Sequence, residues 1–209
     1  MPFTGDLSVV SDVIRGAALS VARSPRRFPA WDLMLVLEYL RGPPFEPLET
    51  ASLADLTKKT AFLISLALGR RSSEIASISG LLGDVSFEAD GSVSLLFLPE
   101  FLAKNQRPGD PSPVLHVRPI SDLVDISEDD CLNCPVRALK RYRRVSRRLR
   151  SASQRSLFLS VNPSYSKDIR RPTLARWLSG IIRDAYEHDR KKRGGGYVCL
   201  EIGTLEPTK

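Results

Sequence analysis

Cysteine is scarce in this chain. Three residues in 209 are too few, and too unevenly placed, to build a disulfide scaffold. A reducing compartment, nucleus or cytoplasm, is the expected setting. Long apolar runs are missing too, so no stretch is long enough to cross a bilayer, and no signal-peptide pattern opens the sequence. Cys131-Leu-Asn-Cys134 has the spacing of half a zinc site, but no second pair follows at a finger-like interval. The Gly194-Gly-Gly run lacks the lysine pattern of a phosphate loop and reads as a linker. No metal and no small-molecule cofactor is therefore expected. One further absence is local: between Arg137 and Arg150 there is no acid among eight Lys/Arg.

What is present is an uneven charge. Residues 1–134 hold 12 Lys/Arg and 18 Asp/Glu, while residues 135–209 hold 19 and 6. The halves carry net charges of −6 and +13. A basic half attracts polyanions through its long-range field and the release of counterions. Nucleic acid is the leading partner on that ground, against a merely solvated basic surface. Hydrophobic content of 42% and charged content of 26% are those of a globular chain with no membrane partner.

Periodicity places the elements. Residues 1–27 read as a flexible leader. Trp31 to Leu40 is a compact helix with Leu33, Val36, Leu37 and Leu40 on one face, stopped by Pro43-Pro44. A second helix runs from about Leu53 to Leu68, with cap candidates at Ser52 and Asp55, and Gly69 closes it. Its buried side is expected to carry Leu56, Thr60, Leu63, Ile64 and Ala67. Ser72-Ser73-Glu74 starts another helical turn. Val85 and Phe87, the Asp90-Gly91 turn, Val93 to Leu98, and Val114 to Pro119 predict an antiparallel hairpin and a third strand. Cys134-Pro135 opens a basic helix with an apolar stripe of Val136, Leu139, Tyr142, Val145 and Leu149. The last helix is expected over Arg171 to Glu187. The fold class is thus mainly α with a small antiparallel sheet, one domain over 28–190, and an unrelated disordered tail over 191–209.

Several short motifs occur in a fixed order: Trp31-Asp-Leu, Pro43-Pro-Phe-Glu-Pro-Leu-Glu, Lys59-Thr-Ala-Phe-Leu, Gly69-Arg-Arg-Ser-Ser-Glu, Phe101-Leu-Ala-Lys-Asn-Gln and Cys134-Pro-Val-Arg-Ala-Leu. Together they span about Pro29 to Glu187, and the segment resembles the catalytic domain of tyrosine recombinases, in the variant carried by DIRS/Ngaro-type retrotransposons. That family cleaves and rejoins DNA strands through a phosphotyrosyl intermediate. The resemblance implies that Arg71 grips the reacting phosphate, since a guanidinium binds two oxygens at once and stays ionised. It implies Glu74 as the residue orienting Arg71, and Lys104 as the proton donor to the leaving oxygen. Arg70 is the competing choice for the first arginine. DNA contacts are expected from Arg70, Arg137, Lys140, Arg141, Arg144 and Arg148.

The chain also departs from the family. His116 and His188 do not stand in a His-x-x-Arg, and the segment from Gly194 to Lys209 matches nothing in the pattern. The tyrosines are Tyr39, Tyr142, Tyr165, Tyr186 and Tyr197, and the first four are expected in or beside structural elements. The reading is of a C-terminally truncated domain that binds DNA and is catalytically incomplete by itself. Two others compete with it. One is a non-enzymatic fragment that pairs with protomers of a full-length recombinase. The other is an active enzyme using Tyr197. Arg190-Lys-Lys-Arg fits a nuclear-import signal.

Overall fold

A computed structural model describes residues 30–102, 106–107, 109–122, 127–160 and 167–193. The account below concerns the compact unit Asp32–Val198. The leader, Lys104, Tyr165, Tyr197 and the tail from Gly194 lie outside the described residues.

Helix α1 spans Leu33–Leu40, started by the Asp32 carboxylate, which accepts from the Met34 and Leu35 amides at 2.9 and 3.3 Å. Val36 and Leu40 are buried, whereas Leu33, placed on the apolar face by its spacing, is exposed at the first turn. Helix α2 spans Leu53–Leu68, with Ser52 capping Asp55 at 3.1 Å and Gly69 ending it in the left-handed region at φ 59°. It is the central helix. Burial runs round its whole circumference from Leu56 to Ile64, taking in Thr57 and Lys59, while Ala67 is exposed. Helix α3, Ser72–Ala76, follows after three residues, Gly69 to Arg71.

Strands β1 (Val85–Phe87), β2 (Val93–Leu95) and β3 (Leu115–Val117) form an antiparallel sheet in that order. Val93 pairs with Phe87 and Val117, and Leu95 with Val85 and Leu115. Strand alternation turns Val93, Leu95, Leu115 and Val117 into the core. Ser94 and His116 take the outer face, with Ser94 Oγ 3.3 Å from His116 Nδ1. The histidine, expected half-buried, is exposed.

The remaining elements are α4 (Glu128–Cys131), α5 (Pro135–Ser146) with a 3-10 turn over Arg147–Leu149, and α6 (Arg171–Lys192). Pro135 starts α5 because its missing N–H belongs to the unpaired first turn anyway. Helix α6 runs five residues past the expected end at Glu187. Residues His188 to Lys192 are good to fair helix formers, and the basic ones suit a helix C-terminus. One apolar cluster joins α2, α3, the sheet, α5 and Leu157-Phe158. A second joins α1, Phe45, the far side of α2, Ala138 and the Ile181/Ala185 face of α6.

Candidate nucleic-acid interface

The α2–α3 junction sets the first candidate group. Gly69 turns the chain, and Arg70 and Arg71 emerge exposed at the start of α3. Glu74 is buried, and its carboxylate accepts from the backbone N–H of Arg71 at 3.0 Å. Its nearest guanidinium is that of Arg70, at 4.0 Å. Glu74 therefore fixes the backbone of Arg71 and approaches the side chain of Arg70, in place of the expected hold on the Arg71 guanidinium. That head group forms no ion pair with a described acid. Lys104 falls outside the described residues, so its position relative to Arg71 does not enter the geometry.

Helix α5 divides its cations between two tasks. Val136, Leu139 and Tyr142 pack inward as expected, Val145 is half-buried, and Leu149 is exposed. The Tyr142 hydroxyl donates to the Leu157 carbonyl at 3.1 Å and accepts from the Leu159 amide at 3.0 Å. Arg137 turns sideways and grips Glu46 with both nitrogens, at 2.7 and 3.0 Å. Glu46 also receives the ammonium of Lys59 at 2.5 Å, which in turn donates to the Leu40 carbonyl at 2.8 Å. Lys59 has no solvent exposure. Burial alone pushes the Glu46 carboxyl up, but the hydrogen bonds from Arg137 and Lys59 outweigh it and hold the group below its ordinary range. Burial pulls Lys59 down, against the pull of Glu46.

Arg141 donates to the Leu48 and Glu49 carbonyls at 3.2 and 2.8 Å. Arg137 and Arg141, expected as DNA contacts, are thus structural ties that hold the Pro43–Thr50 loop on α5. They sit at the flank of the apolar stripe, where a long side chain reaches a neighbouring loop before it reaches solvent. Lys140 is exposed, with its ammonium 5.5 Å from the centre of the Phe87 ring.

Farther along, Arg143 donates to the Gly80 carbonyl at 2.6 Å. Arg150 donates to the carbonyls of Ser156, at 2.8 Å, and Leu157. Arg144, Arg147 and Arg148 are exposed. Arg143, Arg144, Arg147 and Arg148 line a depression of about 420 Å³ with Leu82. None of these four, nor Arg150, pairs with a described acid. Burial lowers the pKa of Arg143, and the like charges of Arg150 and Arg147 lower it further, with Tyr142 opposing. Among the described residues, the cluster is a concentration of positive charge in which Arg143 and Arg150 meet carbonyl oxygens and no arginine meets an acid. Its strongest complement is a polyanion.

Sequence reasoning marked Arg144 and Arg148 but passed over Arg143 and Arg147 as site residues. A helical spacing of three and four would have joined all four on one face. A second basic face was also missed. Arg170, Arg171 and Arg176 are exposed at the start of α6, whereas Arg183, in the middle of the helix, is paired with Asp184 and Glu187.

The described tyrosines serve packing. Tyr142 is buried with both its hydroxyl bonds used. Tyr186 Oη accepts from the Asp32 amide at 2.7 Å. Tyr39 lies 5.3 Å from both the Phe45 and the His188 rings, and burial raises its hydroxyl pKa, with Asp184 adding to the effect. Cys131 is exposed and Cys134 buried, both as free thiols. Comparison with protein-family models, with curated proteins and with solved structures finds no match.

Proposed function

We propose that this chain is a DNA-binding domain of tyrosine-recombinase type, of mobile-element origin, that engages duplex DNA without cleaving it on its own. The observation that carries the proposal is the acid-free arginine surface of α5 and the turn after it. Four arginines around one depression, with no described carboxylate paired to them, match a phosphate backbone in charge. The exposed arginines at the start of α6 add to the same field. Order of motifs supplies the recombinase part of the reading, and the exposed Arg70-Arg71 pair at the α2–α3 junction is compatible with it. Among the described tyrosines, the Tyr142 and Tyr186 hydroxyls are held by backbone groups, which fits neither of them to the role of nucleophile. Among the described residues no helix is long and apolar enough to cross a membrane, and the proposed setting is the nucleus or cytoplasm.

Fluorescence anisotropy with labelled duplexes of unrelated sequence tests the proposal. Binding should fall steeply and log-linearly with salt, alike for all sequences. Arg144→Glu combined with Arg148→Glu should weaken it by at least about tenfold, because two phosphate contacts become repulsions. Folded protein that fails to bind at low salt, yet captures a recombinase protomer, would favour the interaction-fragment reading instead.

A further inference from the structure

The turn that carries Leu82 is built as a rigid mount for an exposed apolar side chain. Leu82 is 93% exposed, the most exposed large hydrophobic residue among those described. Its loop is nonetheless held at every step. Ser79 Oγ donates to the Asp84 carboxylate at 2.5 Å and accepts from the Leu81 amide at 3.3 Å. Gly80 is clamped on both sides, its N–H on the Arg155 carbonyl at 2.7 Å and its own carbonyl on Arg143 at 2.6 Å. Asp84 closes the turn back onto Leu81 at 3.3 Å, and its carbonyl accepts from Leu96 at 3.0 Å. Leu82 and Gly83 alone stand at the tip.

Folding gains nothing from this side chain, since it buries almost no surface. A well-bonded turn with a leucine at its tip, sharing one depression with Arg143, Arg144, Arg147 and Arg148, presents two chemistries at once. Duplex DNA offers both complements: phosphates along the groove walls, and apolar base faces exposed when a step unstacks. Minor-groove proteins pair arginines with leucine-type wedges in this way and kink the duplex.

We propose that Leu82 is a wedge that enters the minor groove and partly unstacks one base step, while the four arginines hold the flanking phosphates. The inference rests on the DNA-binding reading of the same surface and names what that surface does to its ligand. A/T-rich duplex is the favoured substrate class, because its narrow minor groove attracts arginine and its flexible TA steps open readily.

The experiment uses the full chain and an A/T-rich duplex carrying a fluorescent base analogue at its centre and a donor–acceptor dye pair at its ends. Wild-type protein should raise the base fluorescence and shorten the end-to-end distance. Leu82→Ser, compared with wild type at protein concentrations that saturate the duplex, should abolish at least about half of both signals. Leu82→Phe should keep the signals, because a larger apolar wedge serves the same purpose. Exposure of the site means that neither variant should alter thermal unfolding. A Leu82→Ser protein that kinks DNA like wild type overturns the wedge and leaves the DNA reading standing. Absence of binding by folded wild-type protein overturns both. Leu82-dependent binding to anionic vesicles, with no DNA binding, overturns the wedge in favour of a lipid surface.

Discussion

Glu46 is the side chain on which two cations depend. Lys59 is fully buried, and replacing Glu46 by Gln would leave it without a counter-charge. Breaking one partner of a buried pair costs about 3–5 kcal/mol, so Glu46→Gln should be among the most destabilising substitutions, as read by urea unfolding. The sign of the pH effect follows from the depressed carboxyl. Its folded-state pKa lies below its unfolded one, so the contribution is fully present above the ordinary Glu range. It is lost as pH falls through the folded value. Melting temperature in wild type should drop on acidification below the Glu range, and the slope should be shallower in Glu46→Gln. Gly80 offers a steric counterpart. A Cβ there would stand 2.6 Å from both Arg150 Nη1 and the Ser156 carbonyl oxygen. Gly80→Ala should cost about 1–3 kcal/mol through overpacking, measured the same way. Glu46 falls within the Pro43-Pro-Phe-Glu-Pro-Leu-Glu motif, but its pairing does not show there, because its partners lie 13 and 91 positions away. Nothing local announces the burial of Lys59 inside an apolar helix.

At the level of elements, α5 behaves as two helices in one. Its inner arginines tie neighbouring loops to the fold, and its outer ones stand in solvent, where the proposed function would use them. Arg141→Ala should lower stability by about 1–3 kcal/mol, since it strips two backbone carbonyls of a charged donor, with little effect on DNA affinity. Arg147→Ala should do the reverse, leaving chemical unfolding unchanged and reducing the salt slope of DNA binding by about one unit. Measuring both quantities on both variants separates the two sets. The contrast also marks where sequence pattern stops being informative. Helix α2 was legible to the residue because Ser52 and Gly69 bracket it with known capping chemistry. The three strands were legible from alternation around Asp90-Gly91. Which arginines of α5 reach solvent was not, because an amphipathic period separates core from flank but not flank from surface. The end of α6 was missed for a related reason: charged residues that contribute no apolar stripe can still extend a helix already anchored at Ile181 and Ala185.

For the whole molecule, the decisive property is how charge and chemistry divide. The acid-rich first part supplies much of the core and the counter-charges for Lys59 and Arg137, and the basic second part supplies the unpaired arginines. On the proposed function, the protein should retard duplex DNA on native gels yet leave no covalent adduct with nicked suicide substrates on denaturing gels. A covalent band lost on Tyr197→Phe would restore an enzymatic role. The mixed helical and three-stranded architecture was readable in advance, but the site only in part. The motif that holds Arg70 and Arg71 was visible in the sequence, while the four-arginine depression and the Leu82 turn beside it depend on packing between residues some sixty positions apart.

The junction of α1 with α6 has a consequence for how the chain is made. Asp32 meets Tyr186 across 154 positions, and Val36 and Leu40 find part of their cover in Ile181 and Ala185. At a ribosomal rate of about 5–20 residues per second, that gap takes on the order of 8–30 seconds to synthesise. Through that interval α1 has emerged with the part of its apolar face that α6 covers still open. The second cluster cannot close until the Ile181 and Ala185 turns of α6 are translated. Nascent chains halted before α6 should therefore stay bound to chaperones and sensitive to protease at α1, and those halted well beyond it should not. The earliest helix of the unit is among the last to be secured.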